Sequence, residues 1–210
     1  GLLAETCGFR PQWGILTGVR PEKLFARLSE EMGEEAAVRY FTEKLLVSDE
    51  KTKLCRMTNR NQRKILAVPC NRSFSLYLSV PFCPTRCAYC SFVSTSVEKA
   101  FRLVPDYVEL LCRELQRTAE IAAELGLTCD SVYVGGGTPT TLSAEQLGRV
   151  LGTVRASFDL SHCREFTVEA GRPDTVTQEK LAALREGGTT RISINPQTLN
   201  DEVLRAIGRA

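Results

Sequence analysis

The chain has 210 residues, of which 43% are hydrophobic and 25% charged, and its formal net charge is +2. This composition is typical of a globular protein with enough apolar side chains for a core. So small a net charge gives no strong field that would favour nucleic acid or an anionic membrane. We find neither a run of 18 or more apolar residues nor a secretory signal pattern, so we expect a cytoplasmic protein without a membrane span.

The region before residue 73 shows helical patterning. Pro21 can occupy the first turn of one helix, and Ser48, followed by two acids, can cap another. Basic residues recur along the second of these helices at Arg56, Arg60, Arg63 and Lys64. Such a face could bind nucleic acid, but it lacks interleaved aromatic residues, and we interpret it as a solvated surface. We therefore predict a helical extension over residues 1–72.

Strict alternation of apolar and polar residues over 74–80 predicts a strand that enters a loop at Pro81. Further strands are predicted at 131–134, 165–169 and 191–194, and a helix should follow each of the four strands. The helix-end signals are Gly126, the capping box that starts at Ser143, Thr177, the pair Gly187 and Gly188, and Asn200.

Four successive strand-helix units specify an α/β fold whose active loops lie at the carboxyl ends of parallel strands. Four units cannot close an eight-stranded barrel. Over residues 73–210 we therefore expect a truncated, partial TIM-type barrel, with some residues of the site lying outside this sequence.

Three of the nine cysteines cluster immediately after the first predicted strand, at Cys83, Cys87 and Cys90. A [4Fe-4S] cube usually has four protein ligands, so a CxxxCxxC motif without a fourth cysteine nearby leaves one iron open to a small molecule. Zinc is a competing interpretation, but a structural zinc site needs a fourth ligand, and the only histidine, His162, is distant in the sequence. Three unrelated buried thiols are the other alternative, which the spacing disfavours.

The run YLSVPFC at residues 77–83, together with Cys87, Tyr89 and Cys90, resembles radical S-adenosylmethionine (SAM) enzymes related to oxygen-independent coproporphyrinogen III oxidase. The resemblance implies that the three cysteines hold a [4Fe-4S] cluster whose open iron binds the amine and carboxylate of SAM. It also implies release of a 5′-deoxyadenosyl radical, and it places Tyr77 and Tyr89 at the cofactor site.

Three further segments are similar to motifs of this family: GGGTPT at 135–140, EAGRPD at 169–174 and RISINPQ at 191–197. Each also has a plainer interpretation, as a turn, a solvated strand-end acid or a polar loop. Arg172 and Asp174 could serve only to shape their turn. The resemblance implies SAM contacts at Gly136, Gly137, Thr138 and Glu169, and a second SAM position at Gln197 and Arg209.

The chain departs from the best-known oxidase branch, which has a histidine and a further cysteine where Ser79 and Phe92 stand. Phe92 is shared with the haem-chaperone branch and with a third, HemZ-type branch. The stretch WGILTGVRP at residues 13–21 resembles the extension of the HemZ type.

We therefore expect a coproporphyrinogen III dehydrogenase of haem biosynthesis that converts propionate side chains to vinyl groups by oxidative decarboxylation. The alternatives are a haem chaperone without porphyrinogen turnover, or a cluster with only a structural or electron-transfer role. The resemblance implies a tetrapyrrole substrate and an electron donor such as flavodoxin or ferredoxin, and no nucleic-acid partner.

Overall fold

The computed structural model describes residues 2–66, 72–92 and 94–209. The chain divides into two compact units, Gly1–Pro69 and Cys70–Ala210. In the part of the chain that is described, no helix is both long enough and apolar enough to cross a membrane.

The first unit is helical. Its elements are α1 (Leu2–Cys7), α2 (Pro21–Met32), α3 (Glu34–Arg39), a π-helical turn (Tyr40–Lys44) and α4 (Asp49–Leu66). Pro21 lies in the first turn of α2, and the Ser48 hydroxyl accepts a hydrogen bond from the Lys51 amide at 3.3 Å before α4. Both helix starts predicted from the sequence are confirmed.

The first unit has its own apolar core. Phe25 and Phe41 are fully buried and pack edge to face, with ring centroids 5.2 Å apart. They are surrounded by Leu28, Ala37, Val47 and Cys55. On the surface, Arg56 and Arg60 both pair with Glu34, so the acids of neighbouring helices offset part of the positive charge of α4.

The second unit is an α/β structure built on one parallel sheet. Its strands, in spatial order, are β1 (Ser73–Val80), β4 (Thr128–Gly136), β5 (Glu165–Glu169) and β6 (Arg191–Ser193). A separate short pair consists of β2 (Phe82–Cys83) and β3 (Thr95–Ser96). The helices are α5 (Val97–Ala100), α6 (Val104–Glu124), α7 (Ala144–Ser157), α8 (Gln178–Glu186) and α9 (Asp201–Ala206). The predicted fold class, a partial TIM-type barrel, is confirmed.

The helix ends follow the predicted signals closely. Ser143 and Gln146 form both bonds of a capping box before α7. Thr177 and Asn200 cap α8 and α9 with their side chains, and Gly126 adopts a φ of +61° just after α6.

Two strand predictions need correction. β4 is longer than predicted, because Thr128 and Cys129 already pair with β1. β6 ends at Ser193 rather than at residue 194, shortly before Pro196, which has no amide hydrogen to donate to a sheet.

The two faces of the sheet differ in chemistry. One packs against the apolar faces of α6 and α7 and contains buried residues such as Leu78, Val134 and Val168. The other carries a polar row, in register across the sheet, of Tyr77, Tyr133, Thr167 and Arg191. Because all four strands are parallel, the loops that follow them meet at one edge.

Candidate active site at the carboxyl edge of the sheet

A cavity of about 180 Å³ opens at this carboxyl edge. All eleven residues that the sequence motifs singled out line it: Tyr77, Cys83, Cys87, Tyr89, Cys90, Gly136, Gly137, Thr138, Glu169, Gln197 and Arg209. The loops after β1, β4, β5 and β6 thus bring together residues that lie up to 132 positions apart, from Tyr77 to Arg209. Five other residues share the cavity: Phe92 and Arg172, to which sequence analysis gave no cofactor role, and Thr85, Gly171 and Asn195, which it did not single out.

The three cysteines occupy one loop and are partly exposed to the cavity. Cys83 ends β2, and its sulfur lies 3.4 Å from the Thr138 hydroxyl. A turn closed by the Cys90 amide and the Cys87 carbonyl, 3.1 Å apart, carries the other two. Among the described residues, no three His, Cys, Asp or Glu side chains are grouped closely enough to bind a single metal ion. A cube is bound through separate thiolates on separate irons, and soft thiolate donors are the type that iron-sulfur clusters require.

The glycines of the GGGTPT segment lie against the backbone of the cysteine loop. A Cβ atom at Gly137 would lie 2.6 Å from the Phe82 carbonyl oxygen and 3.0 Å from the Cys83 sulfur. The Gly137 and Thr138 amides donate to the carbonyls of Val80 and Phe82 at 2.7 and 2.8 Å. Glycine is required here because this segment is packed against the residues that lead into Cys83.

Glu169 ends β5, and its carboxylate is held from the neighbouring strand. The Tyr133 hydroxyl donates to Glu169 Oε1 at 2.5 Å, and the Tyr133 ring stacks on Tyr77 with centroids 5.8 Å apart. The hydrogen bond to Glu169, together with partial burial, raises the pKa of Tyr133 to about 12, so this phenol remains a donor at neutral pH. Tyr133 is a residue that the sequence motifs did not indicate, because its role depends on the pairing of β4 with β5.

Gln197 has an unusual backbone conformation. Its φ is +67°, and the Thr198 amide donates to the Pro196 carbonyl across it at 2.8 Å, which makes a strained three-residue turn. A non-glycine residue held in such a conformation costs about 1–3 kcal/mol and is characteristic of functional sites. This turn keeps the Gln197 side chain at the cavity.

Arg209 connects the loops around the cavity. Its guanidinium donates to the carbonyl oxygens of Gly171 and Asn195 at 2.6 and 2.7 Å, and it lies 3.4 Å from the Tyr89 hydroxyl. It therefore holds together the segments after β5 and β6 and the cysteine loop, in addition to lining the cavity.

A second connection lies beneath the cavity. The Lys180 ammonium donates to the carbonyls of Thr140 and Thr175 at 2.6 and 3.0 Å, and the hydroxyls of these two threonines are 2.6 Å apart. Burial lowers the pKa of Lys180. The GGGTPT and EAGRPD turns are thus fixed to each other by side chains from outside the cavity.

The family model of the Radical SAM superfamily matches residues 77–210, which include all of these loops. The chain belongs to the radical SAM superfamily. The resemblance indicated by the sequence motifs is thereby confirmed. Membership implies a [4Fe-4S] cluster and SAM, and the thiol-lined cavity with its glycine-rich wall fits that pair in donor chemistry.

The sequence is also similar to two individual proteins of Bacillus subtilis. The oxygen-independent coproporphyrinogen-III oxidase-like protein HemZ of Bacillus subtilis is 41% identical over 214 residues, which cover 99% of this chain and 42% of HemZ. The haem chaperone HemW of the same organism is 37% identical over 139 residues, covering 64% of this chain and 35% of HemW. This chain therefore spans about two-fifths of HemZ and about a third of HemW.

A solved structure shows the same fold. Coproporphyrinogen III oxidase (HemN) from Escherichia coli, described as a radical SAM enzyme, matches with a TM-score of 0.59 at 27% identity. The match covers 72% of this chain and 34% of that one. The likeness to HemN supports the fold of the second unit, and the names of the three relatives differ in function.

Proposed function

We propose that this chain is the cofactor-binding part of an oxygen-independent coproporphyrinogen III dehydrogenase, which converts propionate side chains to vinyl groups by oxidative decarboxylation. The observation that carries the proposal is the convergence of all eleven motif residues on one cavity. The similarity to HemZ over 99% of the chain, including the amino-terminal helical extension over 1–72, supports it.

Different residues of the site would bind the cluster and SAM. With both cofactors bound, an external one-electron donor would reduce the cluster, and transfer of that electron to the SAM sulfonium would break its C5′–S bond to give methionine and a 5′-deoxyadenosyl radical. That radical would abstract a hydrogen atom from the propionate side chain, which would then lose CO2 and pass one electron to an acceptor. Cys83, Cys87 and Cys90 would hold the cluster through their thiolates. The main chain of the glycine-rich loop and the carboxylate of Glu169 would hold the amino acid part of SAM.

A second SAM position is part of the proposal. Gln197 and Arg209 lie on the side of the cavity formed after β6, and both carry hydrogen-bonding groups suited to a carboxylate or a hydroxyl. Tyr77 and Tyr89 present half-exposed aromatic rings to the same cavity, on which an adenine can stack.

The proposal also names partners. An electron donor such as flavodoxin or ferredoxin would reduce the cluster, and a tetrapyrrole would be the substrate. We propose a cytoplasmic location, where reducing conditions disfavour disulfides; none of the eight described cysteines is in one. Nucleic acid is not among the partners proposed.

The test uses the anaerobically reconstituted full-length protein with SAM, a reductant and coproporphyrinogen III. We expect 5′-deoxyadenosine and vinyl product to form in matched amounts, both followed by mass spectrometry. Cys90→Ala should abolish both, whereas Cys7→Ala, which alters an exposed thiol of the helical unit, should abolish neither.

A haem chaperone is the second candidate, favoured by the 37% identity to HemW over 64% of the chain. It predicts a protein that loads its cluster and binds haem but forms no vinyl product. Cluster-loaded protein that consumes no coproporphyrinogen III and binds haem tightly would replace the first proposal with the second.

A further inference from the structure

Arg172 is the one charged residue among the buried residues described. Its side chain is 4% exposed, and Nε and Nη2 donate to the two carboxylate oxygens of Asp174 at 3.0 and 2.8 Å. Burying a guanidinium to this extent is costly unless its nitrogens are hydrogen-bonded. Asp174 accounts for two of the three guanidinium nitrogens, which leaves Nη1.

Nη1 of Arg172 donates to the Thr85 hydroxyl at 2.7 Å. Thr85 lies midway between Cys83 and Cys87, so the hydrogen bond reaches directly into the cysteine loop. The Thr85 hydroxyl in turn donates to the Gly208 carbonyl at 2.7 Å. The turn after β5 is therefore hydrogen-bonded to the middle of the cysteine loop.

The ion pair between Arg172 and Asp174 is asymmetric with respect to the cavity. The Asp174 side chain is 53% exposed, so water screens the carboxylate, while the guanidinium is enclosed and lines the cavity with Cys83 and Cys87. The contribution of this ion pair to the field in the cavity is therefore net positive. A positive charge beside an iron-sulfur cluster stabilises the form that carries one more electron.

We propose that Arg172 is a positioning residue that fixes the cysteine loop through Thr85 and raises the reduction potential of the cluster through its buried charge. The inference rests on the proposed function only in assuming that the three cysteines hold a cluster. The added electron comes from a one-electron reductant, which is dithionite in the experiment below.

The experiment compares full-length variants reconstituted with iron and sulfide, without SAM. Reduction potentials are measured by dithionite titration followed by electron paramagnetic resonance, and iron loss is followed under a chelator. Arg172→Gln removes the charge, Asp174→Asn removes its counter-charge, and Thr85→Val removes only the hydroxyl link. Arg113→Gln, on the exposed side of α6, is the matched control.

We expect opposite shifts from the two charge variants. Arg172→Gln should lower the potential, and Asp174→Asn should raise it by a smaller amount because water already screens that carboxylate. Thr85→Val and Arg113→Gln should leave the potential close to wild type. Iron loss should be several-fold faster in Arg172→Gln and Thr85→Val than in Arg113→Gln. If Arg172 had only a structural role, Arg172→Gln and Asp174→Asn would not shift the reduction potential in opposite directions.

Each other outcome counts against the inference. Charge variants that share the wild-type potential would overturn the electrostatic part, and unchanged iron loss in Thr85→Val would overturn the positioning part. If Arg172→Gln does not fold, Asp174→Asn decides alone, because a potential that fails to rise contradicts the proposal. Wild-type protein that takes up no cluster would overturn the proposed function, whereas loaded wild type with unresponsive variants would overturn this inference alone.

Discussion

Two groups of cysteines among the described residues lie in different environments. Cys55 and Cys129 are buried in the two apolar cores, whereas the three cavity cysteines are partly exposed. Burial, with a smaller contribution from Glu22, raises the pKa of Cys55 to about 11. Burial, followed by the proximity of Cys163, raises the pKa of Cys129 to about 11 as well. Near neutral pH both thiols are protonated and are therefore poor nucleophiles.

This difference predicts a pattern of alkylation. Native protein without a cluster, treated with iodoacetamide at a pH of about 8, should be labelled at Cys83, Cys87 and Cys90 far faster than at Cys55 or Cys129. Loading the cluster should protect the first three. Peptide mass spectrometry gives the site of each label, and urea-denatured protein is the control in which all sites react. Equal labelling of the cavity cysteines before and after loading would contradict their role as ligands.

Tyr133 determines the orientation of the carboxylate expected to contact SAM. Its hydroxyl is the donor to Glu169 Oε1, and Tyr133→Phe removes this donor while keeping the ring that stacks on Tyr77. A hydrogen bond to a charged group contributes about 1.5–3 kcal/mol, and losing it frees the Glu169 carboxylate to leave the position in which it would meet SAM. We therefore expect Kd for SAM to rise several-fold, up to roughly tenfold. Equilibrium dialysis with cluster-loaded protein measures the change.

The matched control for Tyr133→Phe is Tyr40→Phe, which removes a hydroxyl from the helical unit. It should leave the SAM affinity at the wild-type value. If Tyr133→Phe binds SAM as tightly as this control, Glu169 does not depend on Tyr133 for its placement.

At the scale of the element, the α7 helix depends on a local signal. Both bonds of its capping box are present, between the Ser143 and Gln146 side chains and each other's backbone amides, at 3.1 and 2.9 Å. Ser143→Ala should lower the free energy of unfolding by about 1 kcal/mol, because it leaves an amide at the helix start without its acceptor. Urea denaturation followed by circular dichroism measures the loss.

Ser143→Asp provides the comparison, since its carboxylate can accept the same bond and also interacts favourably with the helix amino terminus. We expect it to unfold at a urea concentration close to wild type. An Asp variant as unstable as the Ala variant would show that the cap contributes little to the stability of α7.

At the scale of the whole molecule, the two units have separate apolar cores that share no residue. Phe41→Ala should destabilise the helical unit by about 3–5 kcal/mol, because Phe41 is fully buried and packs on Phe25. We expect hydrogen exchange, measured by mass spectrometry, to accelerate within residues 2–66 and to change little within residues 94–209. Phe101→Ala, at a 63% exposed position, is the control. Faster exchange throughout the chain would mean that the second unit depends on the first for its stability.

Local sequence signals by themselves determined most of the secondary structure and the order of the sheet. Alternation predicted β1, end signals such as Ser143 and Thr177 predicted the helices, and the order of four strand-helix units predicted a parallel sheet. The CxxxCxxC spacing and the family resemblance then indicated a set of residues that line one cavity, and their roles toward cofactors stay predictions. The fold predictions succeeded because caps and alternation act within a few residues, and because parallel strands necessarily bring their carboxyl ends to one edge.

Only the tertiary structure decided which side chains support that site. The contact of Tyr133 with Glu169 depends on the register of β4 with β5, and that of Arg172 with Thr85 joins residues 87 positions apart. The packing of Gly137 on Cys83 likewise needs the end of β4 beside the end of β1. Such contacts have no local signature, because a side chain's partners on other strands are set by strand order and register and not by its neighbours in the sequence.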